Sequence, residues 1–352
     1  MKIAIDSRPL TGGHAVRGVG AYTGELIKAL ERESKGVKEL EIKAVNFSKE
    51  DLSKYDLVHY PFFHPFFLTL PFNKKTKVIV TIHDLIPLIY PKHYPPGWRG
   101  RFKFLIQKVL VKRTEGIITV SETSKKDIVR FLGVPQEKIR VVYEAPREIF
   151  KKLETGDWKL RIKKRYDLPN RFVLYVGDVN YNKNILGLAR ACKMVKTPLV
   201  IVGKQAANEE ADLSHPENQL FAEFLGEYGE DPNVLRLGFI PDEDLVAIYN
   251  SAAVYCQPSF YEGFGLPVLE AMACGTPVVA AKTQALVEIA DKAAFFADPK
   301  EPKDIAEKIS ELLENSELRA QLIRKSRERV REFSWTRTAK ETADFYRQLV
   351  KR

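Results

Sequence analysis

Residues 259–270 read SFYEGFGLPVLE and place two carboxylates, Glu262 and Glu270, eight residues apart. The apolar stretch just before them predicts a buried strand. Pro267 predicts the first turn of a helix, because the N–H that proline lacks would have no partner there. The two glycines between the carboxylates let backbone N–H groups approach a ligand closely, and the helix start adds partial positive charge. The segment therefore suits a ligand that carries both phosphates and hydroxyls, as a nucleotide sugar does.

Length and composition predict a globular protein of two domains. The chain has 352 residues, 45% of them hydrophobic and 29% charged, and this is long for a single core. Its three cysteines, Cys192, Cys256 and Cys274, lack metal-ligand spacing and lie in apolar contexts, which predicts buried thiols in a reducing compartment. No signal-peptide pattern or membrane-length apolar run occurs, so we expect a cytoplasmic protein.

Positive charge is concentrated in the first half of the chain. The formal net charge is +10; residues 1–170 hold 33 Lys and Arg against 19 Asp and Glu, and the remainder holds 23 against 27. The excess therefore belongs to one domain's surface, which could meet anionic lipid or an acidic glycan. No nucleic-acid module accompanies it, so we expect no nucleic-acid partner. Peripheral contact with the inner face of an anionic cell membrane stays open.

Apolar segments alternate with amphipathic ones along both halves, which predicts parallel sheets covered by helices on both faces. Predicted strands in the first half are 2–6, 57–60, 78–82, 117–120 and 139–142. We predict an α/β fold of two doubly wound, Rossmann-like domains facing a central cleft, with ligand at the carboxyl ends of the strands. The expected parts are an N-terminal domain 1–150, a linker 151–170, a C-terminal domain 171–335 and a helix 336–352 free to pack back on the first domain.

The string around the two glutamates continues as AMACGTPV in residues 271–278. As a whole it resembles the glutamate-x7-glutamate motif of retaining glycosyltransferases of family 4. The resemblance spans nearly the whole chain and implies the GT-B fold and metal-independent hexose transfer with retention. It implies that Glu270 hydrogen-bonds the donor ribose. The residues it implies for the sugar hydroxyls and phosphate are Glu262, Gly263, Phe264, Gly265 and Leu266. From the residues alone, a solvated helix start with two surface glutamates is the alternative.

The stretch TIHDLIP, residues 81–87, places His83 at the carboxyl end of a predicted strand. There a neutral imidazole could donate a hydrogen bond to a phosphate or a sugar hydroxyl. The string resembles the His-Asp-x-x-Pro motif of the family, which implies a catalytic position near the transferring sugar. A histidine satisfied by a backbone carbonyl is the alternative.

Two further strings resemble donor-binding loops of the family. Gly18 and Gly20 open the first helix in the pattern Gly-Val-Gly-Ala-Tyr, which implies a backbone that approaches the donor diphosphate; a plain loop and helix start is the alternative. Lys183 matches the lysine of the family's Arg-Lys-Asn motif, which implies that it neutralises the diphosphate, and Asn182 precedes it. Asparagine stands where arginine is common, so we expect a thinner cationic site unless Arg8 or Arg17 compensates. A solvated lysine is the alternative for Lys183.

The string GFIPDED, residues 238–244, begins another predicted helix. Its Asp-x-Asp follows a proline, where carboxylates cap free N–H groups, so we expect no metal there. The resemblance implies that the backbone of Phe239 and Ile240 lies near the nucleotide base. No His, Cys or Asp cluster indicates a bound metal, and we expect no cofactor beyond the donor.

A predicted basic helix, residues 101–113, allows two interpretations. It could lie on an anionic membrane, or its apolar side could pack on the sheet while the lysines face water. We favour packing on the sheet.

The histidine and glycine strings look most like bacterial mannosyltransferases. This favours GDP-mannose as donor over a UDP-hexose, with a glycan or lipid-linked acceptor. A nucleotide-sugar epimerase of the same fold and a catalytically weakened binding module are the rival functions.

Overall fold

The computed structural model describes residues 1–11, 18–35, 40–207 and 212–351. Their strands are β1 (Lys2–Asp6), β2 (Glu41–Val45), β3 (Leu57–Tyr60), β4 (Lys77–Ile82), β5 (Gly116–Thr119), β6 (Ile139–Val141), β7 (Val173–Val176), β8 (Leu199–Val202), β9 (Val234–Arg236), β10 (Val254–Gln257), β11 (Val278–Ala281) and β12 (Phe295–Ala297). Their α-helices are α1 (Gly18–Ser34), α2 (Ile86–Ile89), α3 (Gly97–Lys112), α4 (Glu122–Asp127), α5 (Trp158–Tyr166), α6 (Ile185–Met194), α7 (Gln219–Tyr228), α8 (Asp242–Ser251), α9 (Leu266–Ala273), α10 (Gln284–Ala290), α11 (Pro302–Glu314), α12 (Ser316–Val330) and α13 (Trp335–Lys351).

The chain divides into two compact units, each with its own sheet. Unit 1 comprises Met1–Pro91, Pro95–Ala145 and Phe333–Arg352, and unit 2 comprises Lys92–Tyr94 and Pro146–Glu332. The change from unit 1 to unit 2 between Ala145 and Pro146 precedes the linker that the sequence predicts at residues 151–170. Helix α5 occupies part of that expected linker and belongs to unit 2.

Unit 1 contains a parallel sheet in the order β2-β1-β3-β4-β5-β6. The central strands are buried along their whole length, as the near-continuous apolar segments predict. Strand β2 was not among the predicted strands. It lies at the sheet edge with mostly exposed residues and an ion pair between Lys43 and Glu41, so its sequence carries no apolar run.

Unit 2 contains a parallel sheet in the order β12-β11-β10-β7-β8-β9. Counted within the unit, this is the doubly wound order 3-2-1-4-5-6, in which the connection reverses direction between the first strand, β7, and the fourth, β10. Ligands of such sheets bind outside the carboxyl ends of the strands at this switch point. The loops after β7 and β10 are therefore the place to look for a site.

The last helix, α13, packs on α1 within unit 1 and enters a chain of buried polar groups. The Tyr346 hydroxyl lies 2.6 Å from His59 Nδ1, and His59 Nε2 lies 2.7 Å from the Thr81 hydroxyl. That hydroxyl lies 3.2 Å from the hydroxyl of Tyr22 in α1. Burial, together with a smaller contribution from the charge of His83, lowers the pKa of His59 to about 3, so the ring stays neutral. The chain of contacts fixes α13 to two strands and one helix of unit 1.

Helix α3 differs from the favoured expectation. Its buried side is formed by Gly100, Gln107, Leu110 and Val111. The larger apolar residues Trp98, Phe102, Leu105 and Val109 are instead exposed. The apolar side of α3 is thus only partly used by the core, and the rest faces outward beside the basic residues.

None of the helices in the four described ranges combines the length and hydropathy needed to cross a membrane. The three cysteines are buried free thiols.

Candidate functional site

The loops after β7 and β10 meet at the switch point of the unit 2 sheet. A 3-10 turn, Tyr181–Lys183, follows β7, and residues 258–265 connect β10 to α9. The N–H of Phe260 donates to the carbonyl of Asn182 at 2.8 Å, which joins the two loops directly. Lys183 and Glu262, far apart in sequence, are brought together by this junction.

Lys183 and Glu262 form a partly buried ion pair. The lysine Nζ lies 2.9 Å from both carboxylate oxygens, and the two side chains are 22% and 8% exposed. A carboxylate held by a cation in a poorly hydrated place is costly to disturb from one side only. Lys183 and Glu262 are therefore coupled to each other and are not the independent groups that the sequence suggested.

Glu262 has two additional donors that the sequence reasoning missed. Its Oε1 accepts hydrogen bonds from Gln257 Nε2 at 2.8 Å and from the Ser259 hydroxyl at 2.6 Å. The Tyr255 hydroxyl in turn donates to Gln257 Oε1. Gln257 and Ser259 are polar residues in an otherwise apolar strand and strand end, and both are almost fully buried. That mismatch between polar type and apolar surroundings is the signal that could have identified them.

Asn182 is held by protein groups on both ends of its amide. Its Nδ2 donates to the carbonyl of Tyr261 at 3.0 Å, and its Oδ1 accepts from the Tyr94 hydroxyl at 2.6 Å. The side chain is only 3% exposed. Next to it, the His93 ring stacks on Tyr181 with centroids 3.3 Å apart. The residue at the usual arginine position thus braces the loop after β10 and the segment Lys92–Tyr94.

Gly265 sets the start of α9. Its φ of 109° is a conformation that residues with a side chain rarely adopt, and an added Cβ would lie 2.5 Å from Leu286 Cδ2. The N–H of Val268 donates to the Gly265 carbonyl, so the turn leads directly into the helix. The Phe264 side chain is 5% exposed and is packed in the interior. The backbone N–H groups of residues 263–266 are therefore the part of this loop that could bind a ligand.

Glu270 lies about one turn into α9, and its environment differs from that of Glu262. Burial raises its pKa to about 7, while the positive charge of Arg147 and a 3.0 Å hydrogen bond donated by the Tyr249 hydroxyl oppose the rise. Arg147 itself forms a two-armed ion pair with Asp242 in the first turn of α8. Glu270 therefore exchanges its proton near neutral pH. The two glutamates of the motif are electrostatically distinct.

Phe239 and Ile240 precede α8 with different exposures, 62% for Phe239 and 5% for Ile240. The Asp-x-Asp acids after them make ion pairs with arginines: Asp242 with Arg147, and Asp244 with Arg165 at 2.9 Å. Both acids lie in the first turn of α8, where the expectation places them, and they also form ion pairs.

In unit 1, His83 lies between two acceptors. Its Nδ1 is 2.9 Å from Glu144 Oε1 and its Nε2 is 3.0 Å from the Pro61 carbonyl. Burial lowers the pKa of His83, but the hydrogen bond and charge of Glu144, with the Pro61 carbonyl, outweigh it and raise the pKa. Glu144, a partner that the sequence analysis did not name, thus favours the protonated ring over the neutral imidazole expected from the sequence.

The structure describes some of the remaining candidate residues of the first half. Gly18 and Gly20 lie in the first turn of α1, and an added Cβ at Gly18 would meet nothing within 4 Å. Arg8 is paired with Asp6, with its Nε 2.7 and 2.9 Å from the carboxylate oxygens. It is thus already neutralised by a buried carboxylate. Arg17 lies outside the described residues.

Among the described residues, no group of three or more His, Cys, Asp and Glu side chains is arranged to hold a metal ion. The cationic groups beside the candidate site are protein side chains and the start of α9.

Two family models cover most of the chain. The model described as glycosyl transferases group 1 matches residues 156–329, and the model described as glycosyltransferase family 4 matches residues 41–145. The chain belongs to the family 4, group 1 glycosyltransferases and is a glycosyltransferase. The family resemblance inferred from the motifs is confirmed.

Relatives with assigned names include bacterial mannosyltransferases. O-antigen chain mannosyltransferase B of Escherichia coli is 28% identical over 79% of this chain and 72% of its own length. The serotype-specific mannosyltransferase WbdA of Escherichia coli is 26% identical over 78% of this chain, which spans only 34% of that longer protein.

Solved structures confirm the fold. Sucrose-phosphate synthase from Thermosynechococcus elongatus superposes with a TM-score of 0.74 at 21% identity, covering 99% of both chains. HepE from Anabaena, solved in complex with UDP and glucose, gives a TM-score of 0.73 at 16% identity, covering 99% of this chain and 100% of its own. The predicted two-domain α/β fold of GT-B type is thereby confirmed.

Proposed function

We propose that the protein transfers a hexose, with mannose favoured, from a nucleoside diphosphate sugar to a glycan or lipid-linked acceptor with retention of anomeric configuration. The observation that carries the proposal is the Lys183–Glu262 ion pair at the switch point, beside the glycine turn that starts α9. The pair offers a cation for the diphosphate and carboxylate oxygens for sugar hydroxyls within one small volume. The backbone N–H groups at the start of α9 add donors for phosphate.

On this proposal Lys183 turns from Glu262 toward the diphosphate as the donor binds. Glu262 tolerates this movement because Gln257 and Ser259 continue to donate to its Oε1. The carboxylate then accepts from hydroxyls of the sugar, which fixes the ring relative to the leaving group. Asn182 takes no part in donor contact and holds the loop in place. Glu270, one turn further, accepts from the ribose.

The transfer step proceeds on one face of the sugar. The bond from the anomeric carbon to the phosphate oxygen breaks, the acceptor oxygen bonds to the same face, and the acceptor proton passes to the departing phosphate. Negative charge grows on the diphosphate, where Lys183 stabilises it more strongly than in the ground state. His83, whose charge is balanced by Glu144, is proposed to orient the donor sugar or the acceptor rather than to add net positive charge. We propose that Lys183 and the start of α9 allow transfer without a metal, and activity undiminished by EDTA is the expected result.

Donor identity rests on the relatives. The named mannosyltransferases and the histidine and glycine strings favour GDP-mannose, whereas HepE was solved with UDP and glucose. Thermal shift with GDP-mannose, GDP, UDP-glucose and UDP separates these donors, because a ligand that binds only the folded protein raises its apparent stability. We expect GDP-linked ligands to raise the melting temperature most. The absence of a shift with any of the four would contradict the nucleotide-sugar proposal itself.

Two substitutions test the roles in the ion pair. Lys183→Ala should weaken binding of GDP and also lower kcat, because it removes the charge opposite the diphosphate. Glu262→Gln keeps the shape and the donors from Gln257 and Ser259, so GDP binding should persist while kcat falls about 10²–10³-fold. Lys282→Ala, at an exposed lysine of the same unit, serves as the matched control. If both active-site variants transfer sugar as fast as the wild type, the assignment of this pair is wrong.

The rival functions differ in their products. An epimerase would release a free or epimerised nucleotide sugar without an acceptor, and chromatography of the donor alone tests this. The asparagine at position 182, in place of the usual arginine, is the feature that favours a binding module without catalysis. The Asn182 side chain has a structural role, because it hydrogen-bonds Tyr94 and the Tyr261 carbonyl. We therefore do not propose that the residue signals lost catalysis.

A further inference from the structure

The exposed side of α3 carries a continuous apolar strip. Trp98, Phe102, Leu105 and Val109 are 76%, 63%, 62% and 59% exposed. Their spacing of four, three and four residues places them within about 60° of one another on the helix, at roughly 100° per residue. The strip is about 16 Å long, from a rise of about 1.5 Å per residue. We call these four residues the α3 strip.

The α3 strip is bordered by positive charge on both sides. By the same helical geometry, Arg101, Lys108 and Lys112 lie along one border, and Arg99 lies along the other. No aspartate or glutamate occurs anywhere in α3. The Arg99 guanidinium lies 5.1 Å from the Trp98 ring centroid, so cation and aromatic ring are presented together.

The neighbouring loop is fixed to α3 and adds apolar surface. Buried Gln107 points its Nε2 at the carbonyls of His64 and Phe67, at 3.1 and 2.6 Å. Phe67 and Leu68 are 60% and 44% exposed, and Lys103 lies 5.5 Å above the Phe67 ring. The buried side of α3 therefore contacts this loop, and the exposed apolar side chains of α3 and of the loop lie on one fixed surface.

From this arrangement we propose that the α3 strip docks unit 1 on the surface of a bilayer containing anionic lipid. An apolar strip bordered by lysine and arginine is the pattern of a helix that lies in the interface, with its apolar face among the acyl chains and its cations at the head groups. Anionic head groups complement the charge, and each cation near such a surface strengthens partitioning about fivefold. This inference goes beyond sugar transfer and is independent of the donor.

Cosedimentation with vesicles tests the docking. The full-length protein should bind phosphatidylcholine vesicles that contain phosphatidylglycerol, bind pure phosphatidylcholine vesicles much more weakly, and release partly at high salt. Phe102→Ser combined with Leu105→Ser should lower partitioning by about a hundredfold, because burial of each of the two apolar side chains contributes roughly tenfold. Circular dichroism of the variant verifies its fold.

Leu160→Ser combined with Met194→Ser is the matched control. Leu160 and Met194 are 73% and 57% exposed and have lysine neighbours, but neither lies in a strip. This control should bind vesicles like the wild type. Equal loss in both double variants, or no binding to anionic vesicles by the wild type, overturns the proposal.

Tryptophan fluorescence provides a reading that needs no change in α3. In a Trp158→Phe background the remaining tryptophans are Trp98 and the buried Trp335. Lipids brominated in the acyl chains should then quench Trp98. Absence of quenching, or a protein dimer that the α3 double variant converts to monomer, would show that lipid is not the occupant.

Discussion

At the scale of single residues, Glu270 links the site to pH. Because burial raises its pKa from 4.5 to about 7, the folded protein holds a proton there that the unfolded chain releases. The proton bound at Glu270 therefore stabilises the folded protein. This contribution is complete below pH 4.5 and is lost as pH rises through about 7. The loss amounts to about 3 kcal/mol, at about 1.36 kcal/mol per pKa unit.

Glu270→Gln should remove this pH dependence. The neutral amide resembles the protonated acid, so the stability of the variant relative to the wild type should increase between about pH 5 and pH 8. Urea unfolding at the two pH values measures it, with the exposed Glu137→Gln as control for overall charge. A relative stability that is flat in pH would mean that Glu270 is ionised throughout.

Glu144 and His83 give a prediction of the same sign, because the folded-state pKa of His83 is also raised. Because the folded-state pKa of His83 is raised, its ion pair stabilises the protein below the usual histidine range, and the stabilisation is lost as pH rises through the raised value. Glu144→Gln should lower the pKa of His83 in an NMR titration. It should also destabilise the protein more near about pH 6 than near about pH 9. An unchanged pKa of His83 in the variant would contradict the pairing.

At the scale of elements, the start of α9 depends on one glycine. Gly265→Ala should cost at least about 2 kcal/mol, because the left-handed φ and the approach to Leu286 are both unfavourable for alanine. Gly226→Ala is the matched control: Gly226 occupies an exposed position of α7 with nothing near its added Cβ, so the change should stabilise by about 0.5–1 kcal/mol. Equal effects of the two changes in urea unfolding would contradict this account of the turn.

Elements also show what the sequence can predict. Buried parallel strands such as β3 and β5 are apolar throughout, so periodicity and composition identify them. Edge strand β2 is mostly exposed and three-residue β12 is too short, so neither produces a distinct pattern. For α3, the sequence shows an apolar side but not whether the sheet covers it.

Site residues follow the same division. Glu262, Lys183 and His83 could be named as candidates because each stands in a recognisable string that follows a strand. Their partners were missed where pairing joins distant segments: Glu144 lies 61 residues from His83. The carboxyl ends of β4 and β6 share one sheet edge, so topology was needed to bring that pair together.

At the scale of the whole molecule, the two units should respond differently to ligand. GDP carries the base, ribose and diphosphate but no hexose, and its proposed contacts lie around residues 177–184 and 259–270 of unit 2. Hydrogen exchange with GDP at about 100 times its Kd should show slower exchange in these segments, with stabilisation of about 2.7 kcal/mol. Strands β3–β5 of unit 1 should be unaffected. Uniform protection of both units would contradict the assignment of nucleotide binding to unit 2.

The return of α13 to unit 1 has a consequence for how the protein is made. While the chain leaves the ribosome, unit 2 is synthesised in full before the residues that complete unit 1 appear. At about 5–20 residues per second, unit 1 waits on the order of ten to forty seconds. During that time the surface of α1 that meets α13, and the His59 ring that meets Tyr346, lack their partners. Translation that stops early would therefore leave the first-made unit, rather than the last-made one, unfinished.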